Sequence, residues 1–316
     1  MRILLLAKFL PEKNEKGVQN EEDLHILNDY IKPVYEACIT LGHIVTCETN
    51  PETLPFYVDK IDFVFNLYTR VGFRNYEVYI SNICNFNKLC CNGAPYYIKT
   101  IAEDKVFAKV LAEKLKIATP EWFELSYENP FVFDIPFEPP YFIKPRFGGA
   151  SIGVTKNSLC SSYKQLEDQF NFLSQFEVDS IVERFVCGPI ITVPIIQLRE
   201  QILYSVYKLE TNGPSGIITH EIKKGLDSRF YNIRTLLDDN DEPMAITYAL
   251  KMFESLSKCK YARFDFIKEA TTNKLYFLEF NTCPNIQYTS GFFASFNKKY
   301  AINYNEFISY IIASSI

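Results

Sequence analysis

A chain of 316 residues with 47% hydrophobic and 22% charged residues is too long for one ordinary core and too apolar for large-scale disorder. Two or three domains of about 100 residues each are expected. A formal net charge of −5 excludes the broadly basic surface of a general nucleic-acid or anionic-membrane binder, so any anion site must be built locally.

The opening MRILLLAKFL runs into PEKNEKG without a small-residue cleavage pattern, and no apolar run approaches the roughly 20 residues of a spanning helix. A cytoplasmic protein is expected. RILLLAKF reads as a buried strand, EEDLHILNDYIKPVYEACITLG as a helix closed by Gly42, HIVTCET as the next strand and IDFVFNLY as a further one. Strand alternating with helix implies a parallel sheet. Nine cysteines without a C-x-x-C, beside only three histidines, read as core or loop thiols, the cluster Cys84, Cys90 and Cys91 included.

From Ile98, TIAEDKVFAKVLAEKLKIATPEWF has the spacing of one amphipathic helix ending before Pro120. A proline-crowded stretch leads to a strand carrying Lys144, and SIVERFV is another strand candidate. After Gly188, PIITVPIIQL and QILYSVYKLE read as neighbouring strands with TNGPSG as the turn that follows. YARFDFIKEATTNKLYFLEFNT reads as a hairpin turning near ATTN. The polar stretch KKGLDSRFYNIRTLLDDNDEP, between Gly225 and Pro243, is the candidate for a mobile lid.

Two short stretches carry chemistry. In FIKPRFGGASIGV, Gly148, Gly149 and Gly153 free the backbone to turn tightly and expose N–H groups to an anion, with Lys144 as a fixed charge entering the loop. Neither G-x-x-x-x-G-K-[ST] nor G-x-G-x-x-G is present, so the loop is a phosphate cradle or a ligand-free glycine hairpin. In RFDF and FLEFN, hairpin pairing brings Asp265 beside Glu279 and Asn281, which share a strand face. Alternation would turn Phe264, Phe266, Leu278 and Phe280 to the other side. Three oxygen donors so placed suit Mg²⁺, or form a solvated polar face.

Taken in order, AEDK with Lys105, FIKPRFGGASIGV with Lys144, IVERFVCGP with Glu183, HEIKK with Lys223 and RFDF…LEFNTCPN resemble the ATP-grasp superfamily, in its D-alanine–D-alanine ligase-like branch. The resemblance runs over roughly residues 80 to 310. It implies an α/β fold with α+β subdomains in three parts: an N-terminal parallel-sheet domain at 1–97, a central subdomain with the glycine loop at 98–188, and a C-terminal subdomain with the metal site at 189–316. It implies ATP contacts by Lys105, Lys144, Lys223 and the loop residues Gly148, Gly149, Ala150 and Ser151. Glu183 would accept from the adenine amino group, beside the hinge Arg184, Phe185 and Val186. Asp265, Glu279 and Asn281 would hold Mg²⁺, one ion or two, with Mn²⁺ as a substitute. Arg263 and Lys223 would act on the reacting groups. The implied activity is ATP-dependent joining of a carboxylate to an amine through an acyl phosphate, on amino acids or small peptides, with no nucleic-acid or membrane partner and with homodimers as the family's common state.

Departures from the family pattern gather on the substrate side. No glycine-rich loop follows the first strand, where the sequence reads AKFLPEKNEKGVQNEEDL. Ala150 stands where the family has a serine, Lys224 where it has a tyrosine, Ile190 where an acid holds the ribose, and Asn285 where a glycine follows NT-x-P. Substrates other than two D-alanines are therefore expected, with Arg74, Lys224, Asn285 and Ser290 as candidate contacts. D-alanine–D-alanine ligase itself and a catalytically silent ATP-binding module are the alternatives.

Overall fold

The computed structural model describes all residues except 12–17, 69–75, 130–134, 150 and 214–231. β1 (Arg2–Leu6) carries Ile3 and Leu5 into one core cluster and Leu4 and Leu6 into another, so both faces of its sheet are covered. This is what a continuous apolar run means in a parallel strand. β2 (Ile44–Glu48), β3 (Phe63–Asn66) and β4 (Cys90–Cys91) complete a four-stranded parallel sheet in the order β2-β1-β3-β4. The helix expected between β1 and β2 is α1 (Lys32–Thr40), preceded by helical residues Glu21–His25 and a π segment Ile26–Ile31. Pro33, at the start of α1, has no N–H to give the helical ladder, and the wider spacing falls just before it. α2 (Tyr76–Phe86) links β3 to β4.

The single helix expected from Ile98 is two. α3 (Tyr96–Glu103) and α4 (Lys105–Lys114) meet at Asp104, whose backbone is extended and whose carboxylate accepts from the Val106 and Phe107 N–H groups. An aspartate in this position is an N-cap, which stops one helix and starts the next.

β5 (Trp122–Leu125), β6 (Tyr141–Pro145), β7 (Leu159–Cys160) and β8 (Ser180–Arg184) form an antiparallel sheet in the order β5-β8-β6-β7. α5 (Tyr163–Ser174) buries Leu166, Phe170 and Leu173 from one face in the core cluster it shares with this sheet.

The third sheet holds β9 (Ile190–Leu198), β10 (Gln201–Tyr204), β11 (Tyr207–Thr211), β12 (Asn232–Leu236), β13 (Tyr261–Lys268) and β14 (Leu275–Asn281), with β9 pairing β10, β11 and β13. The stretch QILYSVYKLE, expected as one strand, breaks at Ser205, opposite Pro194 of β9. A proline cannot donate to the ladder, so the strand beside it is interrupted there. Of the candidate lid, residues 232–236 pair with β11 as an edge strand, and 223–231 lie outside the described residues.

α3 and α4 pack against β14, and Ile98, Ala108 and Ala112 share the core of this third sheet with Phe264, Phe266 and Phe277. α6 (Pro243–Ser255) covers the same core through Ala249, Met252 and Phe253. α7 (Gly291–Tyr300) and α8 (Tyr304–Ser314) instead join the first sheet, placing Phe292, Phe296, Phe307 and Ile308 beside Ile3 and Leu5. Among the described residues no helix is long and apolar enough to cross a membrane.

Candidate functional site

A cleft of about 1260 Å³, open to solvent, separates the small antiparallel sheet from the six-stranded one. Lys105, Lys144, Gly148, Gly149 and Ser151 line one side, and Arg263, Asp265 and Glu279 line the other. The two chemistry-bearing stretches of the sequence therefore face each other.

The glycine loop leaves β6 through Pro145 and turns where side chains are excluded. Gly148 has φ +113° and Gly153 φ +77°, and a Cβ on Gly153 would lie 2.6 Å from Pro145 Cγ. Its start is stitched to the α3–α4 junction: Gly148 N–H donates to Glu103 O, and Lys105 N–H to Arg146 O, both at 3.1 Å. Lys105 Nζ donates to Gly148 O at 2.5 Å. Arg146 braces the loop rather than facing the cleft; its guanidinium donates to both Asp104 oxygens (3.0 and 2.7 Å) and to Glu124 (2.7 Å), near the Phe107 and Phe147 rings.

Deeper in the same wall, Lys144 Nζ donates to Glu183 Oε2 at 2.9 Å, across paired strands β6 and β8. A second lysine, Lys109 on α4, places its Nζ 2.9 Å from Glu183 Oε1, off the hydrogen-bonding direction, so that contact acts through charge. Burial by itself raises the carboxyl pKa, but Lys109 and Lys144 outweigh it and hold Glu183 ionised, with a pKa of about 2. Sequence reading found Lys105 and missed Lys109. The available signal was its i, i+4 spacing from Lys105 on the face that also buries Ala108 and Ala112, where a solvated lysine has no place.

Arg184 lines the cleft, its Nη1 donating to Glu269 (3.2 Å) and its Nη2 to the Tyr276 hydroxyl (3.1 Å). The N–H groups of Arg184 and Phe185 donate to Glu121 O and Pro140 O. Among the described residues no backbone acceptor meets the Val186 N–H, and Val186 lines the cleft. Ile190, at the expected ribose position, lines the cleft as an apolar wall.

On the opposite wall, β13 and β14 pair with Asp265 directly across from Glu279 and Arg263 across from Asn281. The four polar side chains share one face, while Phe264 and Phe280 stack on the other at 5.7 Å. One expectation is corrected: Leu278 does not join those phenylalanines. A bulge between Asp265 and Phe266 pairs Phe266 with Phe277, so Leu278 is the extra residue and lines the cleft beside Glu279. Arg263 covers Asp265, with Nε donating to Oδ1 (3.0 Å) and Nη2 to Oδ2 (2.6 Å). Asn281 Nδ2 stands 3.5 Å from Asp265 Oδ2. Its Oδ1 lies 3.6 Å from the position a Gly149 Cβ would take, so the glycine loop reaches this wall.

Two facing carboxylates and one amide make an oxygen set suited to Mg²⁺, which takes one or two carboxylates and completes its shell with water and phosphate oxygens. Among the described residues no group of three or more His, Cys, Asp or Glu side chains gathers as a metal cage. The donor set thus fits an ion shared with a ligand, not one enclosed by protein.

The remaining candidates fall elsewhere. Ser290 is buried and accepts from Phe293 N–H as the N-cap of α7, and Asn285 folds on itself against Gln287; neither lines the cleft. Arg74, Ala150, Lys223 and Lys224 lie outside the described residues. One acid that the sequence reading passed over is Asp23, buried on the helical segment Glu21–His25 and bridged by Lys8 Nζ at 2.6 Å.

A parallel sheet followed by two antiparallel sheets on either side of a cleft, with lysines and a glycine loop facing acids, is the arrangement that the ATP-grasp resemblance implies. The solved D-alanine–D-alanine ligase of Bacillus anthracis, complexed with ATP, superposes with a TM-score of 0.74 at 18% identity, covering 100% of this chain and 97% of that one. VanG D-Ala:D-Ser ligase from Enterococcus faecalis gives 0.71 at 14% identity, covering 100% and 99%. In sequence, D-alanine–D-alanine ligase from Wolbachia sp. (strain wRi) is 27% identical over 218 residues, 68% of this chain and 66% of that protein. The enzyme from Rickettsia canadensis is 24% identical over 282 residues, 85% and 73%. The match thus spans slightly under two thirds of the Wolbachia relative's length. The family described as D-ala D-ala ligase C-terminus matches residues 116–313. This chain belongs to that family.

Proposed function

We propose that the protein is an ATP-dependent carboxylate–amine ligase of the D-alanine–D-alanine ligase type, joining amino acids or small peptides other than two D-alanines. The observation that carries the reading is the single cleft in which Lys105, Lys144 and the glycine loop face Asp265 and Glu279. A triphosphate bridging the walls would meet Lys144 and loop N–H groups on one side and the carboxylate pair on the other. The adenine would lie near Glu183, whose ionised carboxylate accepts from an amino group, and against the Val186 N–H.

Asp265, Glu279 and Asn281 would hold Mg²⁺, which supplies charge neutralisation on the phosphate oxygens. Transfer of the γ-phosphoryl group to a substrate carboxylate releases ADP and makes an acyl phosphate; attack by an amine on its carbonyl carbon then expels phosphate and leaves an amide. Arg263 offers its guanidinium to the oxyanion at that carbon, an interaction that strengthens as charge develops. The cleft holds both reactants in place and limits water's access to the intermediate. The preference for other substrates is supported by Lys224 and Ala150 in the sequence.

An amino-acid pair screen reading ADP release, with products identified by mass spectrometry, tests the reading. ATP cleavage that depends on one carboxylate and one amine supports it. Rapid formation of D-alanyl-D-alanine would restore the family's own substrates, and no stimulation by any pair would favour a silent nucleotide-binding module.

A further inference from the structure

The buried face of α4 carries a cation that the nucleotide reading leaves unused. Lys109 is 0% exposed and does not line the cleft, yet its Nζ lies 2.9 Å from Glu183 Oε1. Lys144 meets the same carboxylate from the cleft side, where its own side chain is part of the lining. The order is cation, acid, cation, with one cation beyond a ligand's reach and the other within it.

We propose that Lys109 is the resident counter-ion of Glu183, a positioning residue that lets Lys144 leave the carboxylate for the phosphates of a bound nucleotide. The inference rests on the nucleotide reading above. A buried carboxylate stripped of its only cation is strongly destabilised, and without Lys109 the departure of Lys144 would leave Glu183 in that state. With Lys109 behind it, the carboxylate stays ionised and in place while Lys144 turns to the triphosphate. Lys109 acts on phosphate binding without touching a phosphate.

The test compares affinities for ATP and adenosine, measured by calorimetry on the full chain. Adenosine makes no demand on Lys144, so the ratio of the two isolates the phosphate contribution. In Lys109→Met the ATP-to-adenosine ratio is expected to fall about tenfold or more, with adenosine binding unchanged. Once Glu183 is neutral, Lys109 has nothing to hold, so Glu183→Gln and the double variant Lys109→Met/Glu183→Gln are expected to share one ratio. This second pair decides the matter even if Lys109→Met alone fails to fold, because the double variant removes both buried charges. An unchanged ratio in folded Lys109→Met, equal weakening of ATP and adenosine, or a lower ratio in the double variant than in Glu183→Gln would each overturn the inference while leaving the nucleotide reading intact. A wild-type protein that binds neither ATP nor adenosine would overturn both.

Discussion

The two walls of the cleft treat their acids differently. Glu183, in the small sheet, is met by two lysines and is wholly surrounded, whereas Asp265, in the large sheet, is covered by Arg263 from two residues away on its own strand. An acid with two cations keeps a partner when one moves; an acid with one still has lone pairs to offer a further partner. The first arrangement suits a fixed recognition point, and the second suits a site whose occupant arrives with the ligand. The small sheet's glycine loop is in turn pinned at Glu103, Lys105 and Arg146.

The strongest way to break this comparison is at Asp265. Asp265→Asn is expected to lower the rate of substrate-dependent ADP release by about 10³-fold, the scale of losing several kcal/mol of charge stabilisation. A rate near wild type would remove the reason for treating the large-sheet wall as an ion site. Next in size is a contrast inside the glycine loop. Gly153→Ala forces a Cβ to 2.6 Å from Pro145 Cγ at φ +77°, and should cost about 1–3 kcal/mol in urea unfolding. Gly149→Ala meets nothing nearer than Asn281 Oδ1 at 3.6 Å and should leave stability within about 0.5 kcal/mol while weakening ATP binding. Equal destabilisation by both would show that the loop's geometry, not its open face, explains its glycines.

A third test concerns acid. Glu183 has a folded pKa of about 2 against an ordinary 4.5, so its contribution to stability is complete above pH 4.5 and is lost as pH falls toward 2. Urea midpoints measured at steps between pH 5 and pH 2 should show a wild-type decline that is shallower in Glu183→Gln. Parallel declines would mean that the two lysines do not hold the carboxylate ionised.

Local pattern made much of this legible. The apolar run of β1, the hairpin that sets Asp265 against Glu279, and the glycine turn after Lys144 are all encoded within a few residues, and all form as expected. Lys109 was hidden because a lysine on a helix is ordinarily solvated, and its partner lies 74 positions along the chain, at Glu183. Leu278 was misplaced because strict alternation has no means of announcing a bulge. The split of α3 from α4 was readable in principle, since Asp104 is a good N-cap, but continuous apolar spacing on both sides concealed it. The packing of α3 and α4 on β14 depends on surfaces that meet only once the chain has folded.

That long-range packing bears on how the molecule is made. Ile3 and Leu5 of the parallel sheet share a core with Phe292, Phe296, Phe307 and Ile308, which are synthesised nearly three hundred residues later. Until those helices arrive, that flank of the sheet has only residues such as Val34 and Cys38 of α1 to cover it, so its core closes only after the last helices are made.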